Sequence, residues 1–135
     1  MPTVGSGVTL EVHTDERVDV RDVTADVAEA VPDGVDGVCT VFVQHTTAGV
    51  VVNESERRLL ADVADALERL VPRDGGYGHD ELDGNADAHL RSMLLGSSVS
   101  IPVEDGELAL GRWQSVLFVE CDGPQTRSVR VTVTE

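Results

Sequence analysis

Apolar and polar positions change their period several times along the chain, and each change marks an element. Val8-Thr9-Leu10-Glu11-Val12-His13 alternates with period two, which predicts a half-buried strand. A second strand is expected around Arg17-Val18-Asp19-Val20. From Asp22 to Val31 the residues Val23, Val27, Ala30 and Val31 fall at helical spacing, and Pro32-Asp33-Gly34 closes that segment. The continuous β-rich run Val38-Cys39-Thr40-Val41-Phe42-Val43 predicts a central strand that leads directly into His45. Val50-Val51-Val52 predicts another strand, with Asn53 and Glu54 at its end.

A long helix is expected from Glu56 to Val71, where Leu59, Leu60, Val63, Ala64, Leu67, Leu70 and Val71 form one apolar stripe. Arg58 with Asp62, and Asp65 with Arg69, sit at i,i+4 on its outer face; Ser55 is placed to cap it and Pro72 to stop it. Arg73 to Gly84 is rich in Gly and Asp and reads as a loop. A second helix is expected from Ala86 to Leu95, capped by Asn85 or Asp83 and ended by Gly96. On it, Asn85, His89 and Ser92 form a polar stripe beside the apolar one of Ala86, Leu90, Met93 and Leu94. Val99–Val103, Leu108–Leu110, Ser115–Glu120 and Ser128–Thr134 complete the strands, with Glu104-Asp105-Gly106-Glu107 as a hairpin turn. The expected fold class is α+β, a largely antiparallel β-sandwich core with two or three helices in one compact domain spanning residues 1–135.

Charge changes the picture next. The formal net charge is −15, and all ten basic residues are Arg. The acids are spread through periodic, apolar-containing segments, as in a folded protein with an acidic surface adapted to high salt. That balance argues against nucleic-acid binding, which needs a basic footprint. Without Lys, Schiff-base chemistry is excluded. No apolar run approaches the roughly 18 residues of a membrane helix, and Met1–Gly7 lacks the basic start and apolar stretch of a signal peptide, so a cytoplasmic protein is expected. Cys39 and Cys121 lie in strand-like runs and are expected as buried free thiols.

Candidate chemistry rests on the histidines. Three of the four stand in polar, loop-like settings: His45 opens His45-Thr46-Thr47-Ala48-Gly49, His79 closes Tyr77-Gly78-His79, and His89 lies on the second helix. His13 alternates outward on the first strand and is expected at the surface. Neutral imidazoles with a nearby carboxylate suit zinc or a similar divalent metal, or acid–base work near neutral pH. Each residue also has a plain alternative: a satisfied core histidine for His45, an exposed loop residue for His79, a solvated helix face for Asn85 and His89. Glu54 can equally be a first-turn carboxylate stabilised by the helix dipole.

Taken in order, His45-Thr46-Thr47-Ala48 with Asn53-Glu54, Tyr77-x-His79, Asn85-Ala86-x-Ala88-His89, Leu95-Gly96, Gly111-x-Trp113-Gln114 and Glu120-x-Asp122-Gly123-Pro124 resemble the YjbQ-type family, whose members are named secondary thiamine-phosphate synthases. The resemblance covers nearly the whole chain. It implies a homotrimer and a polar cavity where His45, His79 and His89 gather around a divalent metal, zinc first. It also places Asn53, Glu54, Asn85 and Gln114 around that cavity. Thr46, Thr47 and Trp113 join them as ligand contacts, with Trp113 equally readable as a core or interface anchor, and Glu54, Asn85 and Glu120 as catalytic groups. Two departures stand out: Gln125 replaces the Arg usual after Asp-Gly-Pro, with Arg127 nearest, and Ser55-Glu56-Arg57-Arg58 lacks an Asp usual after Asn-Glu.

The function implied is a metal-dependent enzyme acting on a small phosphorylated or heteroaromatic substrate. Its named case joins a pyrimidine-methyl diphosphate to a thiazole phosphate, with pyrophosphate leaving. Arg91, Arg112 or Arg127 would help neutralise the diphosphate. Two rivals are a metal-assisted hydrolase using Glu54 or Glu120 as proton acceptor, and a non-enzymatic trimeric module that binds a metabolite or a metal.

Overall fold

Alternating burial pairs the strands into two antiparallel sheets in the computed structural model, which describes residues 7–135. The signal-peptide reading of the N-terminus therefore lies, for residues 1–6, outside the described residues. The larger sheet contains β1 (Val8–His13), β3 (Gly37–Val43), β5 (Ser98–Glu104), β6 (Glu107–Leu108) and β8 (Thr126–Thr134), in the order β1-β8-β3-β5-β6. The smaller contains β2 (Asp19–Asp22), β4 (Ala48–Asn53) and β7 (Ser115–Glu120), in the order β2-β7-β4. Val41, Val43, Val129 and Val131 of the larger sheet pack with Val50, Val116 and Phe118 of the smaller in one shared core.

The smaller sheet is covered on its other face by α2 (Arg57–Leu70) and α3 (Ala86–Leu95), through Val51, Val63, Leu67, Ala88, Leu95, Val119 and Cys121. The layers are thus sheet, sheet, helices. β7, in the middle, is buried on both faces from Val116 to Glu120, which is why its sequence is a continuous apolar run and not an alternation. The short α1 (Thr24–Glu29) inserts Val27 into the inter-sheet core.

Most expected elements are present, with differences at their ends. α2 is capped by the Glu56 carboxylate, which accepts from the Arg58 amide at 2.7 Å, so Glu56 and not Ser55 does the capping. Arg58 also ion-pairs with Glu56 at 3.3 Å in place of the expected Asp62. The Asp105-Gly106 turn has φ of 50° and 77°, the left-handed pair that a two-residue hairpin needs, so β5 and β6 join as expected. The loop before α3 contains a single 3₁₀ turn, Gly78–Glu81. Cys39 and Cys121 are buried free thiols; burial pushes the first up to about 11 and the second up to about 12, so both stay protonated and inert near neutral pH. No helix among the described residues is long and apolar enough to cross a membrane.

The largest departure is α3. Its inward face is Ala86, Asp87, Ala88, Arg91 and Ser92, whereas Met93 and Leu94 are 76% and 64% exposed. The apolar stripe of this helix points out. The inversion follows from buried charge: Asp87 accepts from Arg17 Nη2 at 2.9 Å and pairs with Arg91 at 3.3 Å. Arg91 also donates to the Val71 carbonyl at 3.0 and 2.8 Å, and Ser92 donates to the Ala48 carbonyl at 2.7 Å. These bonds cost less than leaving the groups unpaired inside, and together they fix the helix rotation.

Gly49 permits this packing. A Cβ at Gly49 would lie 2.7 Å from both the Gly96 carbonyl oxygen and Leu95 Cβ, and the Val50 amide donates to that same carbonyl at 3.1 Å. Gly49→Ala is expected to destabilise the fold by about 1–3 kcal/mol through overpacking. Chemical denaturation checks this, and an unchanged midpoint would show that α3 can shift away from β4 freely.

Candidate functional site

The two ends of the smaller sheet separate the residues that the sequence places together. Ala48 pairs with Glu120 at one end, and Asn53 pairs with Ser115 at the other. His45, Thr46 and Thr47 precede β4, while Asn53 and Glu54 end it, so within the chain the two groups lie about 16 Å apart along the strand. Trp113 and Gln114 precede Ser115 and belong to the Asn53 end. The side chains of Asn53, Glu54, Trp113 and Gln114 therefore do not share a rim with His45.

At the Asn53 end the residues are occupied locally or open. Asn53 Oδ1 accepts from the Glu54 amide at 2.8 Å, and Gln114 Oε1 accepts from the Gly111 amide at 2.8 Å, closing the turn before β7. Trp113 is 63% exposed, with the Arg112 guanidinium 4.9 Å from its ring centroid. Glu54 borders an apolar groove of about 240 Å³ between α2 and the sheet.

The His45 end contains the candidate site. His45, Thr46, His89, Ser92, Met93, Gly96 and Ser97 line a cleft of about 420 Å³. A second cleft of about 490 Å³ is lined by Tyr77, Gly78, His79, Ala86, His89, Leu90 and Met93. His89 is common to both, and its ring meets that of His79 edge to face with centroids 4.8 Å apart. His79 also lies 3.7 Å from Asp83. His13 points outward, as expected, and pairs with Glu11 at 3.0 Å.

His45 is fixed by the backbone. Where β3 leaves β8, the Ser128 amide loses its ladder partner, and His45 Nε2 takes that place at 2.8 Å. Because Nε2 accepts, the proton of the neutral ring is on Nδ1. Burial holds the His45 pKa below its ordinary value of 6.5; the nearby Arg127 charge acts in the same direction, against Glu120.

Behind His45 lies a closed ionic cluster. Glu120 is fully buried, and both its oxygens are taken. Oε1 accepts from Thr14 Oγ1 at 2.9 Å and from Arg127 Nε at 2.8 Å. Oε2 accepts from the Asp122 amide at 3.0 Å and from Arg127 Nη2. Arg127 Nη2 reaches Thr47 Oγ1 at 2.9 Å, and the Thr47 carbonyl accepts from the Cys121 amide at 3.1 Å. Glu120 is thus a positioning residue with no oxygen free for proton transfer, and Thr47 is held beside it by Arg127 and the Cys121 amide. Arg127 is tied through Nε and Nη2 to Glu120 and Thr47, which holds it in this cluster and not at the position of Gln125.

Asn85 does not cap α3. Its amide donates to Asp122 Oδ2 at 3.0 Å, its Oδ1 is buried without a partner, and Asp80 accepts the Ala86 amide instead. Asp122 also receives Arg17 at 2.9 Å, a link that no local pattern announces. Of the arginines expected to meet a diphosphate, Arg91 is bound to Asp87 and Val71, and Arg112 stands over Trp113; neither lines either cleft.

His45, His79 and His89 of this chain do not fit a single ion as its ligand set. His45 Nε2 is already an acceptor and Nδ1 carries the proton, and among the described residues no three His, Cys, Asp or Glu side chains gather in a metal-binding cluster.

The family model described as "UPF0047 protein YjbQ-like" matches residues 8–135. A UPF0047 protein of Archaeoglobus fulgidus is 52% identical over 122 residues, covering 90% of this chain and 96% of that protein. One from Methanothermobacter thermautotrophicus is 44% identical over 136 residues, covering 94% and 95%. Among solved structures, a hypothetical protein from Aeropyrum pernix K1 superposes with a TM-score of 0.92 at 42% identity, covering 95% of this chain and 97% of that one. A YbjQ-like protein of unknown function from Sulfolobus solfataricus P2 gives 0.90 at 31% identity, covering 99% of each.

The state of His45 makes stability depend on pH with a defined sign. A folded-state pKa below the ordinary 6.5 means that the folded protein binds fewer protons than the unfolded chain in the window just beneath that value. Its contribution is complete above about pH 6.5 and is lost as pH falls through the folded pKa. His45→Gln, which keeps an acceptor for Ser128 but cannot titrate, is expected to flatten the fall in melting temperature between about pH 7 and 5. Superimposable profiles for the two proteins would contradict this.

Proposed function

The chain belongs to the UPF0047 YjbQ-like family, and from that premise we propose that the twin clefts around His89 form the substrate site of an enzyme acting on a small phosphorylated or heteroaromatic molecule. The shared wall carries this reading: one imidazole on a fixed helix faces both clefts, with His45 in one and His79 in the other. Imidazoles near neutral pH can give or take protons, and the hydroxyls of Thr46 and Ser97 add donors without added charge.

Thiamine-phosphate formation is the specific reaction we propose. The thiazole nitrogen attacks the pyrimidine methylene carbon, a C–N bond forms, and the C–O bond to diphosphate breaks with pyrophosphate leaving. In this chain the cleft orients the two partners, and His45, Thr46 and Ser97 hydrogen-bond phosphate oxygens. Of the expected divalent ion, zinc first, the proposal keeps His79 and His89 as ligands and drops His45. A bound ion would add charge stabilisation for the departing diphosphate.

The proposed assembly is the homotrimer. Its support is the outward stripe of Leu90, Met93 and Leu94 beside the His79–His89 pair, apolar surface of a kind that monomers seldom leave in water. A trimer also offers a means to bring the Asn53, Glu54, Trp113 and Gln114 end of one protomer to the histidine end of another. The remaining partners proposed are small molecules, with no nucleic acid and no membrane.

The hydrolase alternative loses Glu120, which is sealed, and would need Glu54 from a neighbouring protomer, because Glu54 lies at the far end of β4 in its own chain. The assay that decides supplies the pyrimidine-methyl diphosphate and the thiazole phosphate and measures thiamine phosphate. Turnover is expected in the wild type, with His89→Ala slower by about 10²-fold or more and Met93→Glu dissociating the trimer. Ligand protection from heat without turnover would replace the enzyme with a binding module.

A further inference from the structure

We infer that His45 is a locked hydrogen-bond donor for an anionic oxygen of the bound ligand, presenting Nδ1–H while its Nε2 serves the backbone; this rests on the reading of the His45–His89 cleft as a ligand site. Three observations carry it. The Ser128 amide and His45 Nε2 are 2.8 Å apart, and a backbone amide can only donate, so Nε2 must hold a lone pair. A ring that bound a metal through Nδ1 would carry its proton on Nε2 and set two N–H groups against each other. Rotating the ring by 180° would put a C–H at that point and orphan the Ser128 amide.

The second observation is where this bond falls. The Gln44 amide donates to the Ser128 carbonyl at 3.4 Å, and the next ladder bond, from the Ser128 amide, goes to the imidazole instead of to β3. The ring is therefore part of the sheet, held like a backbone carbonyl, and its orientation is not a surface side chain's choice. Third, Nδ1 has no hydrogen-bond partner among the described residues, although the ring lines the cleft with Thr46 and Ser97. The ring nitrogen left for a ligand is thus a donor. Thr46 and Ser97 can also donate, and no carboxylate lines this cleft, so its chemistry suits phosphate oxygens in an otherwise strongly acidic protein.

The proposal separates His45 from His79 and His89, whose ring nitrogens are not held by such a bond. It is tested on the wild-type protein by long-range ¹H–¹⁵N correlation of the imidazoles at pH 7.5. His45 is expected as the neutral Nδ1–H tautomer. Titration with inorganic phosphate should shift its Nδ1, and titration with Zn²⁺ should leave it in place. An Nε2–H tautomer, an imidazolium, or a zinc-induced change at His45 nitrogen would overturn the proposal, as would phosphate that perturbs the protein without touching His45.

Two variants read the same point by phosphate affinity. His45→Asn keeps a donor near the Nδ1 position and should hold affinity within about three-fold; His45→Gln keeps the partner for Ser128 but carries its NH2 donors at the Nε2 end, away from the Nδ1 position, and should lose about ten-fold. Equal losses, or the reverse order, would overturn the donor role. The tautomer is read without any turnover, so a failed synthase assay leaves this result independent. Should phosphate perturb no residue of the cleft at all, the ligand-site reading and the donor role fall together, while the tautomer still reports on the lock.

Discussion

Glu120 at the end of β7 and Arg127 near the start of β8 meet in the interior, at the point where the chain passes from the smaller sheet to the larger. The pair is buried on both sides, Glu120 completely. Such a pair contributes little to stability when compared with apolar residues of equal volume, but removing one member costs about 3–5 kcal/mol. Its role is to specify. Through Thr47 it holds the segment that crosses back from β3 to β4, and through Thr14 and the Asp122 amide it holds the segments that follow β1 and β7. Three of the crossings between the two sheets, β1 to β2, β3 to β4 and β7 to β8, are therefore gathered on one ion pair. His45 gains its place from that constraint: with Thr47 pinned, the ring reaches the Ser128 amide and closes the sheet.

A second ionic group does comparable work for α3. Arg17 bridges Asp87 on the helix and Asp122 on the loop after β7, and Asp122 in turn takes the Asn85 amide. The helix that carries His89 is thus keyed to the same loop whose amide reaches Glu120. Helix rotation and loop position are set by one connected set of polar groups, which keeps His45 and His89 facing a common cleft. The consequence is an apolar stripe turned outward, since the inward positions are filled by Asp87, Arg91 and Ser92.

Local patterns made several elements legible. α2 has its stripe and its proline stop, β7 is a run buried on both faces, and Asp105-Gly106 is a turn whose residues tolerate positive φ. The α+β sandwich follows from these. α3 was not legible in the same way, because its rotation depends on Arg17, 70 residues from Asp87 in sequence. Periodicity reports that a helix has two faces but not which face finds buried partners. The site shows the same division. His45, His79 and His89 stand out by residue type and setting, and the latter two do meet. Asn53 and Glu54 follow His45 closely in the chain, yet an extended strand carries them to the opposite end of the sheet. Glu120 stood out as an acid at a strand end, but only its four contacts show it to be sealed.

Amide hydrogen exchange in Glu120→Gln tests most directly whether the ionic pair sets the crossing segments. Ser128 and Cys121 are the amides to follow, since one bonds His45 Nε2 and the other the Thr47 carbonyl. If the pair pins this region, both amides should open locally and exchange much faster in the variant, while Val41 and Val131 in the centre of the larger sheet keep the protection set by global unfolding. If Ser128 and Cys121 instead retain wild-type protection, or lose it only in step with Val41 and Val131, the cluster is an ordinary part of the core and the account of how His45 is held is wrong.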